Sequence, residues 1–524
     1  MNNILKRSLL CLAAALVAAE ASFAGSPKPQ EISLLLETGQ AETAGKLITG
    51  LPEEQKSYWQ GQSYFFAGDY EAAAREIGAA ARSKNGKPEW EHLQRYYAAL
   101  AEVHRDMQEY TSEHFRFRAA GADTILAPYA LEALEKAYTE IGKDLGYYPG
   151  EKVLVEVFAR KEEFSLASTL SDEILEKSGT VGICKFNRLM LLSPQSLPLG
   201  YRWLDTLCHE YTHFAVNRIS RGKCPLWLHE GIARYHDTRW RLDEPLYMTA
   251  AGETQICKAL KSDTLVPFGR MAPSLVYLKN QDEISLAFAE VSVAIRFLQE
   301  KFGHAALNTL LQALVTENEN NAFKRATGLS TGKFEGEWKK YLRMLPLAES
   351  PGVLNDQVQF ARKQEDDFIG ADQRGQVRLG DDLRRIGRMD AALVHYEKAL
   401  AAEPANPVIL LKAARALIAL GETQKAEQKL EEAVRKNPNY VTPYQALGEL
   451  YMKAQNYGKA AAAYTEALAI NPYHPATHRD LSRCYLALNK PQEAHRELQI
   501  TAILDPSDAE TRVILERLKA ESRE

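Results

Sequence analysis

Apolar residues recur along this chain in two periods, and the switches between them mark its elements. From 30 to 108 the spacing is three and four, strand signals are sparse, and a helical N-terminal region is predicted. Within it Gly61, Tyr64, Ala67-Gly68-Asp69-Tyr70, Ala73 and Ala80 fit one helix pair. His114-Phe-Arg-Phe-Arg then alternates, which predicts a short strand before a helix over Pro128–Leu145, closed by Gly146. Lys152–Phe158 and Asn187–Ser193 read as further strands, the second either a sheet edge or a buried centre. Leu204, Leu207, Tyr211, Phe214 and Ala215 restore the helical period with one buried stripe, and Pro225 opens a second such helix. Residues 240–285 carry no clear period, whereas 286–302 predict an amphipathic helix stopped by Gly303, with more helix to about 343. Strands first and helices after them predict an α+β domain with a small sheet over 110–345, and Pro346 and Pro351 open a linker over 346–372.

A longer period takes over at 373. Pro404, Pro438, Pro472 and Pro506 recur every 34 residues, each preceded by a small residue where two helices touch: Ala392, Ala426, Ala460 and Ala494. The eighth position of each unit is also small, as Gly380, Ala414, Gly448 and Ser482. This is the tetratricopeptide signature, so four repeats are predicted over 373–506 and a polar capping helix over 507–524. The helix pair within 30–108 resembles one more such unit. Repeats of this kind curve around a groove for a peptide or a protein helix. Arg374, Arg384, Arg385, Arg415, Lys453, Arg479 and Arg483 are expected on its inner wall, against Asp381 and Glu449. An acidic protein partner is favoured by that balance, a solvated face being the plain alternative.

Composition changes the picture at two points. A net charge of −5 with 25% charged residues is an ordinary balance that does not suggest nucleic-acid binding. Residues 1–24 carry Lys6 and Arg7, the apolar run Leu9–Ala19 and small residues around Ser22-Phe23-Ala24, the layout of a secretory signal peptide. The run is too short to span a bilayer permanently and no later stretch is long enough, so a periplasmic or extracellular protein without an integral membrane segment is expected after signal removal. Export would permit disulfides among Cys184, Cys208, Cys224, Cys257 and Cys484, with one or two bridges possible and Cys224 a candidate; Cys208 reads as a small core residue.

The candidate chemistry lies in His209-Glu210-Tyr211-Thr212-His213. Residues four apart leave the same face of a helix, so His209 and His213 can chelate one Zn²⁺, with Glu210 beside them as candidate general base. A catalytic zinc takes three protein ligands and keeps one position open. Glu230, in Trp227-Leu-His-Glu-Gly-Ile-Ala-Arg-Tyr on the second helix, is the candidate third ligand. A satisfied pair of core histidines is the bland alternative.

His-Glu-x-x-His followed by Trp-Leu-x-Glu-Gly-x-Ala-x-Tyr resembles the gluzincin metallopeptidases. The whole chain is similar to bacterial peptidase MA-like domains that travel with tetratricopeptide repeats. The resemblance covers about 110–345 and is specific over its two motifs. It implies a zincin-like fold, one zinc held by His209, His213 and Glu230, and Glu210 activating the water. It also implies, for that fold, substrate pairing with an edge strand, for which Asn187–Ser193 is the candidate. The sequence departs from the aminopeptidase branch twice. It has no Gly-x-Met-Glu-Asn segment to hold a free N-terminus, and Phe288 stands near the place of a tyrosine that would stabilise an oxyanion; Tyr277 and Tyr235 are candidate substitutes.

Three functions follow. The first is an exported zinc endopeptidase whose repeats recruit a protein substrate or partner. The second is a weakly active or inactive periplasmic scaffold that keeps the metal fold, and the third is a metal hydrolase acting on another envelope bond.

Overall fold

A computed structural model describes residues 28–273, 275–355, 358, 360 and 365–521. The signal predicted over 1–24 lies outside them. Five helices lead: α1 (Lys28–Glu37), α2 (Ala41–Thr49), α3 (Glu53–Ala67), α4 (Tyr70–Arg82) and α5 (Pro88–His104). Asp69 caps α4 by accepting from the Ala72 backbone N–H, and Pro88 sits in the first turn of α5, where its missing N–H costs nothing.

The sheet follows as β1 (Gln108–Thr111), β2 (Phe115–Ala119), then α6 (Ala127–Leu145), β3 (Val153–Phe158), α7 (Lys161–Ser168), α8 (Asp172–Ser178), β4 (Gly182–Lys185) and β5 (Arg188–Leu192). Spatial order is β1-β2-β3-β5-β4, with β2, β3 and β5 parallel and both outer strands antiparallel. Every residue of β3 and β5 is buried, because helices cover both faces. The pleat sorts the side chains. Arg188 and Glu156 face α3–α5, where Glu156 accepts from the Tyr70 hydroxyl and lies 3.1 Å from His104. Phe115, from the opposite face, packs edge-on against Tyr211.

Of the two places open to Asn187–Ser193 the structure takes the buried one: it supplies the inner strand β5 and not the edge strand that was its candidate role, and the edge on that side is β4, drawn from a stretch whose short run gave no period. Residues 240–285 contain a helix, Ala250–Ser262, capped by Thr249, and the first turn of the next one, which begins at Gln281.

Tyr211 belongs to α9 (Trp203–Ser220), which lies on the sheet and is followed by α10 (Leu226–His236). The remaining helices of this part are α11 (Ala250–Ser262), α12 (Gln281–Phe302), α13 (His304–Ala313), α14 (Glu319–Thr327) and α15 (Thr331–Met344). Helix α12 starts five residues before the apolar period does, at an Asn280 cap that binds the Glu283 N–H.

Four helix pairs come next: α16 (Ala371–Arg385) with α17 (Met389–Ala402), α18 (Pro407–Ala419) with α19 (Thr423–Lys436), α20 (Val441–Lys453) with α21 (Tyr457–Leu468), and α22 (Pro475–Ala487) with α23 (Pro491–Leu504). Helix α24 (Ala509–Glu521) closes the stack. The small eighth position has a direct cause: a Cβ on Gly448 would sit 2.3 Å from the Tyr464 ring, and one on Gly380 would sit 2.6 Å from Tyr396. Thus the protein is mostly helical, with one small mixed sheet and helical repeats toward its C-terminus. None of its described helices is long and apolar enough to cross a membrane. The five described cysteines are free thiols, so the disulfides allowed for above do not form.

The solenoid docks on the α+β part instead of trailing from it. Arg202, at the N-cap of α9, donates to the Pro438 carbonyl (2.9 and 2.7 Å), the Tyr444 hydroxyl (2.8 Å) and Glu466 (2.7 Å). The Trp203 indole N–H donates to the Leu468 carbonyl, and the Tyr129 hydroxyl donates to Glu497. The linker ties in from the other side, with the Leu354 N–H on the Asn437 side chain.

Candidate metal centre

Helix α9 presents His209 and His213 one turn apart, ring centroids 4.5 Å apart and planes at 89°. The chain then turns through Arg221 and Gly222, both at positive φ, and α10 returns past it with Glu230 in its first turns. Glu230 Oε2 lies 3.6 Å from His209 Nε2 and 3.4 Å from His213 Nε2. One ligand atom from each of the three falls within 4.8 Å of the others. Ligands held tetrahedrally at about 2.0–2.2 Å from one ion stand roughly 3.3–3.5 Å apart, so both separations from Glu230 suit Zn²⁺ and are long for hydrogen bonds.

Electrostatics agree with a cation there. Burial disfavours a charged His209, yet Asp237 and Glu230 override it and lift the ring to about 10 in the metal-free protein. Burial equally opposes ionised Glu230, but His213 and His209 hold its carboxyl well below the usual range. Asp237 Oδ1 sits 2.8 Å from His209 Nδ1, which directs Nε2 at the ligand triangle, and Arg234 holds the other Asp237 oxygen at 2.8 Å. Sequence reading missed both residues. Their positions, four and seven past Glu230 on one helix, were the available signal. It also missed His229, stacked on His213 at 4.3 Å and pushed by burial down to about 3, hence a neutral ring.

Glu210 turns the other way, toward the sheet edge. Its carboxyl is raised by burial, against the pull of His213 and His209, and the Cys184 backbone of β4 hydrogen-bonds to it. A Cβ on Gly182 would stand 2.8 Å from Glu210 Oε1, so the strand lies directly on the carboxylate. Cys208 points away, with its thiol on the His236 carbonyl.

These residues line a cleft of ≈ 620 Å³. One face of α12 forms a wall through Gln281, Ile284, Ser285, Phe288 and Ala289, and the solenoid closes another side with Asn437, Pro438, Asn439 and Tyr440. Neither Tyr235 nor Tyr277 is among the lining residues, and Tyr277 is 74% exposed. Phe288 does line the cleft, under the Arg234 guanidinium. Among the described residues four carboxylates face it, and each is engaged: Asp205 by Arg241 and Trp240, Asp237 by His209 and Arg234, Glu230 by both histidines, Glu210 by β4.

Residues 137–344 match the family described as Peptidase MA superfamily, and residues 385–450 and 451–515 match Tetratricopeptide repeat. Curated relatives include the human Protein O-mannosyl-transferase TMTC1, 30% identical over 103 residues (20% of this chain, 12% of that protein). The Hsp70-Hsp90 organizing protein 2 of Arabidopsis thaliana is 30% identical over 135 residues (25% of this chain, 22% of that protein). Cellulose synthase operon protein C of Pseudomonas fluorescens is 30% identical over 138 residues (26% and 11%). The chain thus spans under a quarter of the length of these relatives. Among solved structures, MamA is 22% identical with a TM-score of 0.26, over 27% of this chain and 84% of that one. The chain therefore carries a domain of the peptidase MA superfamily followed by tetratricopeptide repeats.

Proposed function

We propose that this protein is an exported, zinc-dependent endopeptidase with a zincin-like catalytic fold. The observation that carries the reading is the convergence of His209, His213 and Glu230 at hydrogen-bond-exceeding separations, with Glu210 beside them in an open cleft. When bound, Zn²⁺ would lower the pKa of a water and polarise the scissile carbonyl. Glu210 would serve as general base toward a water in the cleft and pass its proton to the leaving amine. Its carboxyl, raised by burial, suits both halves of that exchange. Asp237, on His209 Nδ1, would keep the ring in the tautomer that leaves Nε2 free to hold the metal. The outer edge of β4 offers backbone N–H and C=O groups to an extended chain. The α12 wall, with Ile284 and Phe288, favours apolar side chains in the cleft.

An internal cut is favoured over stepwise release because a free ammonium finds no spare carboxylate among the described residues lining the cleft. Glu290, the acidic residue nearest in sequence to Phe288, is buried elsewhere and accepts from the Val266 N–H. Export rests on the composition of residues 1–24.

Phe288, where a phenol would stabilise the oxyanion, supports a second reading: a periplasmic scaffold with little turnover. One experiment separates them. Wild type and Glu210→Gln are given an unfolded protein, with and without chelator, while zinc is measured by elemental analysis. The proposal expects one zinc in both proteins, chelator-sensitive cleavage by wild type, and a loss of roughly 10²–10⁴-fold in the variant. Zinc unchanged in His209→Ala/His213→Ala, or activity retained by Glu210→Gln, refutes the site. Wild type that binds zinc and cuts nothing supports the scaffold.

A further inference from the structure

The segment that joins α15 to the first repeat reads as a plain linker in sequence, yet part of it belongs to the cleft. Leu354, Asn355 and Val358 are among the lining residues. Residues 350–355 are fastened along their length, firmly at one end and lightly at the other. At the root, buried Ser350 donates its N–H to Thr254 Oγ1 of α11 (3.0 Å), and its hydroxyl accepts from Lys436 Nζ of α19 (2.8 Å). The Pro351 carbonyl accepts from the Ala405 N–H (3.0 Å). Gly352 then turns at φ +83°, where a Cβ would stand 2.7 Å from Glu403 Cβ, so the chain changes direction pressed against the solenoid.

Among the described residues two hydrogen bonds hold the tip, and they lead to different sides of the cleft. The Leu354 N–H donates to Asn437 Oδ1 of the solenoid turn (2.7 Å), and Asn355 Nδ2 donates to Asp282 Oδ1 in the first turn of α12 (3.2 Å). That turn and α12 form two walls of the cleft, so Leu354 and Asn355 bridge one wall to the other. The bridge lies at the rim: Asn355 and Asp282 are exposed, whereas Glu210 and His213 are buried. Other boundaries are held more tightly. Strand β4 is paired along β5, and the solenoid is clamped through Arg202 to Pro438, Tyr444 and Glu466. An exposed hydrogen bond competes with water and contributes little net, so the tip can open while the root and the other walls stay put.

We propose that Leu354–Asn355 is a strap across the cleft: resting on Asn437 and Asp282 it keeps a polypeptide out, and it swings from the Gly352 turn to let one in. That the entrant is a substrate rests on the peptidase reading above; the gating itself does not. Only the open fraction of molecules binds, so both apparent affinity and association rate scale with that fraction.

The test uses full-length, zinc-loaded Glu210→Gln protein and a short fluorescein-labelled peptide of Ala, Leu and Phe, blocked at both ends, followed by stopped-flow anisotropy. Adding Asn355→Ala removes the bond to α12 and should raise the association rate and tighten binding by roughly two- to tenfold, with dissociation unchanged. Locking should do the reverse. Asn355→Cys with Asp282→Cys, oxidised to a disulfide verified by mass spectrometry, should slow association by about tenfold or more, and reductant should restore it. The Glu210→Gln parent, oxidised and reduced alike, controls for the native thiols. Both substituted positions are exposed, and melting curves verify that the variants fold. Weaker binding in Asn355→Ala would make the strap part of the peptide's seat and overturn the proposal. Rates that neither variant changes overturn it too, as does a cysteine pair that never closes, since the tip then does not rest on α12. Wild type that binds the peptide and cleaves no substrate strikes the peptidase reading and leaves the strap standing.

Discussion

Replacing Gly182 with alanine should cost turnover while leaving the metal and the fold in place. The added Cβ would stand 2.8 Å from Glu210 Oε1, 3.0 Å from Glu210 Cγ and 2.7 Å from the Thr206 methyl. Non-bonded carbons prefer about 3.5–4.0 Å, so the carboxylate must retreat by roughly 0.5–1 Å. A displacement of about 1 Å at a reacting group can cost around 10²-fold. Removing a general base outright costs roughly 10²–10⁴-fold, which sets the ceiling. The expected fall in kcat is therefore about 10- to 100-fold. KM should hardly move, because the three atoms nearest the new methyl belong to Thr206 and Glu210, not to a metal-ligand candidate or the α12 wall. Overpacking should cost about 1–3 kcal/mol, offset by the roughly 0.5–1 kcal/mol that alanine gains over glycine inside a strand. Kinetics on a quenched fluorescent peptide would give kcat and KM separately, with zinc content and the melting curve measured alongside. Gly150→Ala, whose new carbon meets nothing within 4 Å, is the control. If kcat stays within twofold of wild type while zinc and melting are unchanged, β4 does not position Glu210.

Acid should unfold the protein partly through Glu156. Burial opposes its ionisation, but His104, Arg188 and Arg118 hold the carboxyl down at about 2 against an ordinary 4.5. The folded state then binds fewer protons than the unfolded one between those values. Its contribution, about 3 kcal/mol, is present above pH 4.5 and lost as pH falls toward 2. Urea titrations across that window should show wild type losing stability and Glu156→Gln losing less; parallel losses would place the acid sensitivity elsewhere. Arg202→Ala strips a buried guanidinium from Pro438, Tyr444 and Glu466 and should cost about 3 kcal/mol, read as a fall in melting temperature of several degrees with zinc retained. An unchanged melting temperature would mean the solenoid does not depend on that clamp. Peptides acetylated at the N-terminus should be cut as fast as free ones, since every carboxylate among the described residues of the cleft is engaged; cleavage that requires a free amine, seen by mass spectrometry, would reveal an ammonium site.

The placement of the candidate ligands that is written at short range was legible without any structure. Two histidines four apart must share a helix face, because 3.6 residues make a turn whatever surrounds them. The 34-residue period is just as local, since each repeat packs on its neighbour through the same small positions, such as Gly380 and Gly448 against the rings of Tyr396 and Tyr464. Helices and inner strands long enough to show a period were readable for the same reason. Four residues of β4 were not, and their place at the sheet edge depends on β5 pairing with β3. Asp237 reaches His209 across 28 positions of sequence, and Gly182 meets Glu210 across a similar gap. The seat of the solenoid on α9 joins Arg202 to Glu466, 264 residues apart. Which arginines of the inner wall stay charged toward solvent was decided the same way, by acids such as Asp508 and Glu510 arriving from the capping segment. Local periods follow from backbone geometry, which every stretch of chain carries with it. Partners distant in sequence meet only when whole elements pack, and no spacing along the chain encodes that meeting.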